Sequence, residues 1–89
     1  MISDLSTLVS FDTISNRPVT ALGAFLSTRL EDLGFCVERF DSPTLADKCN
    51  IVASIGPSQT DGLILSGHMD VVPTEGQPWS SDPFRLTER

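Results

Sequence analysis

The stretch Leu65-Ser-Gly-His-Met-Asp-Val-Val-Pro73 carries the single histidine of the chain, His68, two residues before Asp70 and at the point where an apolar run ends. In extended backbone the side chains at i and i+2 project to the same side, so His68 and Asp70 face one way and Met69 the other. A carboxylate that accepts a hydrogen bond from one ring nitrogen fixes the imidazole tautomer and leaves the lone pair of the other nitrogen for a metal ion. Zinc is the natural guest of an imidazole in a carboxylate-rich setting. Gly67 lets backbone approach closely at the same place. One imidazole and one carboxylate are only part of a metal site, which takes three or four protein ligands. Spacing alone therefore leaves two readings open: a metal ligand braced by Asp70, or a structural histidine whose ring is satisfied by a nearby carboxylate.

The elements that must position this pair are legible as patterns. From Ser3 to Ser10, Leu5, Leu8 and Val9 recur at helical spacing behind a serine suited to cap the first turn. The break "FDTISNRP" follows, with Asn16 as a candidate cap and Pro18 suited to the first turn of the next helix. Asp12 and Ser15 in this break are expected to cap or to close local turns, with no part in chemistry. From Pro18 to Leu33 the residues Ala21, Leu22, Phe25, Leu26, Leu30 and Leu33 keep the 3.6-residue period, which predicts a second helix ended by Gly34 in the left-handed conformation.

"FCVERF" (Phe35 to Phe40) and "NIVASIG" (Asn50 to Gly56) read as strands, and the polar connection "DSPTLADK" joins them as an antiparallel hairpin. In that register Cys36 faces residue 54 and Cys49 faces residue 41, about 16 Å apart, too far for a disulfide. Two reduced thiols are expected. Beyond the turn "PSQTDG", the run "LILSG" has no polar alternation and reads as a third strand covered on both faces. His68 then stands at the carboxyl end of that strand, where open α/β sheets bind their ligands. From Val71 onward an irregular loop is expected, with Trp79 and Phe84 anchoring it by burial and with Glu75 and Asp82 as solvated turn residues.

The order is helix, helix, strand, strand, strand, loop, an α/β pattern that stops early. A strand buried on both faces needs neighbours on both edges and helices above and below. Residues 1–89 accordingly read as the incomplete amino-terminal part of a larger catalytic domain. With 12 acidic against 6 basic residues and a net charge of −6, the chain repels phosphate backbones and anionic lipid, which argues against nucleic acid and membrane as partners. No apolar run approaches the ~18 residues of a membrane span, and "MISDLSTLVS" is unlike a signal peptide, so a cytoplasmic protein is expected. Its 39% hydrophobic and 20% charged residues are those of a chain that folds.

The string "LSGHMDVVPTEGQPWSSDPFRLTER" resembles the segment around the first metal ligand of the M20 family of zinc-dependent metallopeptidases and deacylases. H-x-D-x-V-P followed by W-x-x-x-P-F carries the likeness, and "LVSFDTIS" and "NIVASIGP" extend it upstream over nearly the whole chain. The "WSSDPFRLTER" continuation is most similar to the acetylornithine deacetylase branch, where Met69 departs from a common Thr. The resemblance implies a three-layer α/β/α zinc-exopeptidase-like domain with a mixed sheet, in which a later strand fits between the second and third strands. It implies that His68 ligates one ion of a two-zinc centre, with cobalt as a possible substitute, and that Asp70 is a catalytic-site residue orienting the imidazole. The bridging Asp, the general-base Glu, a further acidic ligand and a late His would lie beyond residue 89. It further implies hydrolysis of N-acetyl-L-ornithine to ornithine and acetate, a step of arginine biosynthesis, by a homodimeric full-length enzyme whose small-molecule substrate is an acylated amino acid. The rivals are another M20 hydrolase (a succinyl-diaminopimelate desuccinylase, an aminoacylase or a carboxypeptidase) and a standalone, non-enzymatic strand-pairing module. An open slot beside the third strand would expose unpaired backbone, so self-association of the 89-residue chain is also expected.

Overall fold

Two helices, α1 (Ile2–Ser10) and α2 (Thr20–Asp32), precede two strands, β1 (Cys36–Asp41) and β2 (Cys49–Ser54), in the computed structural model, which describes residues 1–57 and 61–88. Helix α1 begins one residue before Ser3, so Met1 occupies the capping position and no side chain caps the turn. Ser3 instead offers its carbonyl to the Thr7 hydroxyl at 2.9 Å. Of the predicted apolar stripe, Leu8 and Val9 are half-buried and Leu5 is exposed.

Helix α2 starts later than the expected Pro18, because Val19 is the capping residue and its N–H is bound to the carbonyl of Asp47 at 3.0 Å. Asn16 lies in the preceding turn and caps nothing. At the far end Gly34 has φ +97°, as the pattern predicts. Its N–H reaches the carbonyl of Glu31 at 2.9 Å while that of Phe35 reaches Leu30 at 3.0 Å, the paired closing bonds of a Schellman motif. Gly23 is buried where α2 meets β2: a Cβ there would stand 3.0 Å from the Cys49 sulfur, so the missing side chain lets the helix sit close to the strand. Helix α1 joins this unit through the tilted ring pair Phe11 and Phe25, 5.9 Å apart, and through the Asp4–Arg29 ion pair on the surface.

The strands pair antiparallel with Cys36 opposite Ser54 and Asp41 opposite Cys49, the register read from the sequence. Both cysteines are free, Cys36 exposed and Cys49 buried. The connection closes through the Ser42 N–H on the Lys48 carbonyl, and the Ser42 hydroxyl accepts the N–H groups of Thr44 and Leu45. Asp47 takes a left-handed φ of 62°, which a short polar side chain tolerates.

The expected third strand is corrected. Leu63, Ile64 and Leu65 enter no ladder and are 86%, 89% and 88% exposed. A ladder needs a neighbour at ~4.8 Å, and an open groove of 1090 Å³ separates this run from β2, with Ile51 and Ala53 on one side and Leu63 and Leu65 on the other. The apolar pattern registers a demand for cover that no described residue meets. The turn expected at "PSQTDG" falls partly on residues 58–60, outside the described residues. Trp79 is also corrected: it is 51% exposed and is held by its indole N–H on the Thr74 carbonyl rather than by burial, whereas Phe84 is half-buried. Asp82 turns the chain by accepting the Phe84 N–H at 2.9 Å.

Among the described residues what is buried is small: Thr13, Ile14, Val19, Leu22, Gly23 and Cys49. The accessible surface is 7174 Å², against about 5,100 Å² for a close-packed protein of this mass, and the radius of gyration is 15.3 Å against about 12 Å. The fold described is thus a mixed α/β unit of two helices on an antiparallel hairpin, with an extended arm (residues 61–73) across an open groove. Among the described residues no helix is long and apolar enough to cross a membrane.

Candidate functional site

His68 and Asp70 stand at the end of the extended arm, on the rim of the groove. The arm is bound to the loop between the helices, not to the sheet. Ile14 and Val71 form a parallel bridge, in which the Val71 N–H donates to the Thr13 carbonyl and the Ser15 N–H to the Val71 carbonyl, each at 3.0 Å. The Thr13 hydroxyl donates to the Met69 carbonyl at 2.6 Å, and Thr13 and Ile14 are among the most buried residues of the chain. A buried hydroxyl must find an acceptor, and here the acceptor lies 56 positions away. The loop "DTIS" is therefore the shelf on which the His68 turn rests.

The shelf is braced in turn. The Lys48 ammonium donates to the carbonyls of Ser15 and Arg17 at 2.8 and 2.6 Å, tying the loop to the hairpin connection. Asp12 accepts the Ile14 N–H and pairs with Arg17, which is a local turn of the kind its sequence context predicts.

The two side chains of the pair meet. Nδ1 of His68 lies 3.1 Å from Oδ1 of Asp70 and 2.7 Å from the Asp70 main-chain carbonyl. With Nδ1 engaged, Nε2 is the nitrogen left for an outside partner, and the ring is 82% exposed. The other carboxylate oxygen, Oδ2, accepts the hydroxyl of Ser15 at 3.0 Å. This hydrogen bond is the main reason that the Asp70 carboxyl is held below its ordinary pKa; partial desolvation opposes it and the neighbouring imidazole adds to it.

Ser15 lies in the local turn that the sequence suggests, closed by the Arg17 N–H on the Ile14 carbonyl at 2.7 Å, and its hydroxyl in addition reaches 55 residues ahead. Sequence reasoning had only one signal for it, a cluster of hydroxyl and carboxyl side chains in a break between two helices, and that composition fits an isolated turn equally well. Glu75 is exposed. Among the described residues, no three His, Cys, Asp or Glu side chains come together as a metal cage. The donor set on hand is one imidazole with its carboxylate support, which suits zinc in kind and falls short of it in number.

With that geometry in view, comparison with known proteins is informative. A protein named acetylornithine deacetylase from Proteus mirabilis (strain HI4320) is 41% identical over 78 residues, 88% of this chain and 20% of its own length. Proteins of the same name from Buchnera aphidicola subsp. Acyrthosiphon pisum, strains Tuc7 and 5A, are 44% identical over 63 residues, 71% of this chain and 16% of theirs. Over these stretches the chain is similar to proteins named acetylornithine deacetylase. It spans about a fifth of the length of the curated relatives it matches. No protein-family model matches the chain, and no solved structure does.

Proposed function

We propose that this chain forms the amino-terminal part of the catalytic domain of an M20-type, zinc-dependent amidohydrolase that removes the acetyl group of N-acetyl-L-ornithine. The observation that carries the reading is the 41–44% identity to proteins of that name over most of the chain. The local geometry agrees with it: His68 has one ring nitrogen satisfied and the other turned outward, which is how a zinc-binding imidazole is prepared. In this reading Nε2 of His68 ligates one of two ions and Asp70 orients the ring, while the other ligands and the general-base Glu come from sequence outside these 89 residues. When bound, the metal supplies an activated water for attack on the acetyl carbonyl. The groove between β2 and the arm then receives a further strand, which completes a mixed sheet inside a three-layer α/β/α domain and turns residues 63–67 into the covered strand their sequence suits. A cytoplasmic homodimer is part of the same proposal.

The intact protein tests it. Purified protein should contain zinc, be reactivated by zinc or cobalt after chelation, and hydrolyse N-acetyl-L-ornithine in preference to N-succinyl-diaminopimelate and other acylated amino acids. His68→Ala should remove both metal and turnover; a variant that kept both would end the metal reading. A preference for the succinyl substrate would move the protein to another M20 branch. The 89-residue chain alone, with one ligand and no base, should hydrolyse no amide, and measurable turnover by it would contradict this account.

A further inference from the structure

We propose that Ser15 is a positioning residue for the His68–Asp70 pair, setting the orientation of the Asp70 carboxylate and through it that of the imidazole. The inference deepens the reading above and rests on it for what Nε2 is turned toward. A carboxylate on a short side chain rotates over a broad, two-fold torsion with no strong preference of its own, and Asp70 is half-exposed, so packing does not fix it. What fixes it is the use of both oxygens: Oδ2 takes the Ser15 hydroxyl at 3.0 Å, and Oδ1 is thereby presented to Nδ1 of His68 at 3.1 Å.

Ser15 has one hydroxyl proton and two acceptors within reach, Oδ2 of Asp70 at 3.0 Å and the Val71 carbonyl at 3.2 Å. The shorter contact to the ionised acceptor is the stronger. Ser15 is itself held from three sides, by its N–H on the Val71 carbonyl, by the Lys48 ammonium on its carbonyl, and by the buried Thr13 two residues earlier. A donor pinned in this way transmits the placement of the inter-helix loop to a ring on a different segment. The competing orienter is the main-chain carbonyl of Asp70, 2.7 Å from the same Nδ1, and the experiment has to separate the two.

In the intact protein stripped of metal, nitrogen NMR of the imidazole, assigned to His68 by its loss in His68→Ala, reads the tautomer with no metal present. At a pH where the ring is neutral, the native protein should show Nδ1–H. Ser15→Ala and the near-isosteric Ser15→Cys should shift the ring nitrogens toward the averaged values of a free imidazole, Asp70→Ala should shift them at least as far, and Ser15→Thr, which keeps the hydroxyl, should restore the native values. The amide spectrum of each variant establishes that the fold is retained, and the cysteine variant serves if the alanine variant does not fold. Native ring signals in a folded Ser15→Cys protein, with Asp70→Ala shifted, would overturn the role of Ser15. Native signals in both would assign the tautomer to the main-chain carbonyl and overturn it equally. Because no metal enters the measurement, a positive result in a protein later found to lack zinc would leave Ser15 in place and sink only the metal reading, while a zinc enzyme with unmoved signals would do the reverse.

Discussion

At Asp70 one carboxylate oxygen accepts the Ser15 hydroxyl and the other faces Nδ1 of His68, and each contact has a measurable consequence. Loss of a carboxylate that supports a metal-bound imidazole costs about 10–100-fold in metal affinity, so in the intact protein Asp70→Ala should lose zinc to a chelator at about that lower threshold while retaining His68. The depressed pKa of Asp70 also carries a sign. Folding favours the ionised form, so the contribution is complete above the unfolded value of about 3.9 and disappears as pH falls through the lower folded value. The stability difference between the native chain and Ser15→Ala, measured by urea unfolding, should therefore be present above the unfolded carboxyl value and shrink as pH falls through the lower folded value; a difference that grew as the carboxyl was protonated would contradict the assignment. His68 and Asp70 were legible as a pair because they lie two positions apart, although the chain bends at Met69 between them instead of running as a strand. Ser15 was not, since nothing in a local pattern announces a partner 55 residues away.

Among the elements, α2 and the hairpin follow from rules that act within a few residues. The helical period fills one face of α2, Gly34 ends it, and the polar connection sets the strand register, so all three could be read ahead of the structure. Gly34→Ala forces a side chain into the left-handed region and should lower stability by about 1–2 kcal/mol in urea unfolding. The start of α2 falls two residues past Pro18, since Val19 leaves the helical conformation (φ −111°, ψ 4°) while its N–H binds the Asp47 carbonyl. Lys48 is the comparable case in the site: Lys48→Met keeps the stem and removes the ammonium that holds the Ser15 and Arg17 carbonyls. Amide exchange at Ser15 and Val71 should then accelerate, while β1 and β2 stay protected.

For the whole molecule the decisive feature is the bare arm. Leu63, Ile64 and Leu65 would each contribute about 1.5–3 kcal/mol on burial, and they lie exposed beside an open groove and the outer edge of β2. Apolar surface next to unpaired strand edge favours pairing with another chain. The 89-residue chain should accordingly associate with rising concentration in light scattering, and Ile64→Lys should suppress this without disturbing the hairpin. A monodisperse monomer of the native sequence would show that the arm finds its cover within the chain.

The sequence by itself determined the second helix with its glycine stop, the hairpin register that keeps the two thiols apart, and the His-x-Asp pair, because each depends on contacts between residues a few positions apart or directly opposite across one turn. Only the tertiary structure decided that the arm leans on the loop between the helices instead of on the sheet, that Ser15 grips Asp70, and that Trp79 stays half in the open. Those outcomes depend on which distant backbone groups find partners and on how much surface is available to cover an apolar run, quantities that exist only once the chain has been brought together in three dimensions.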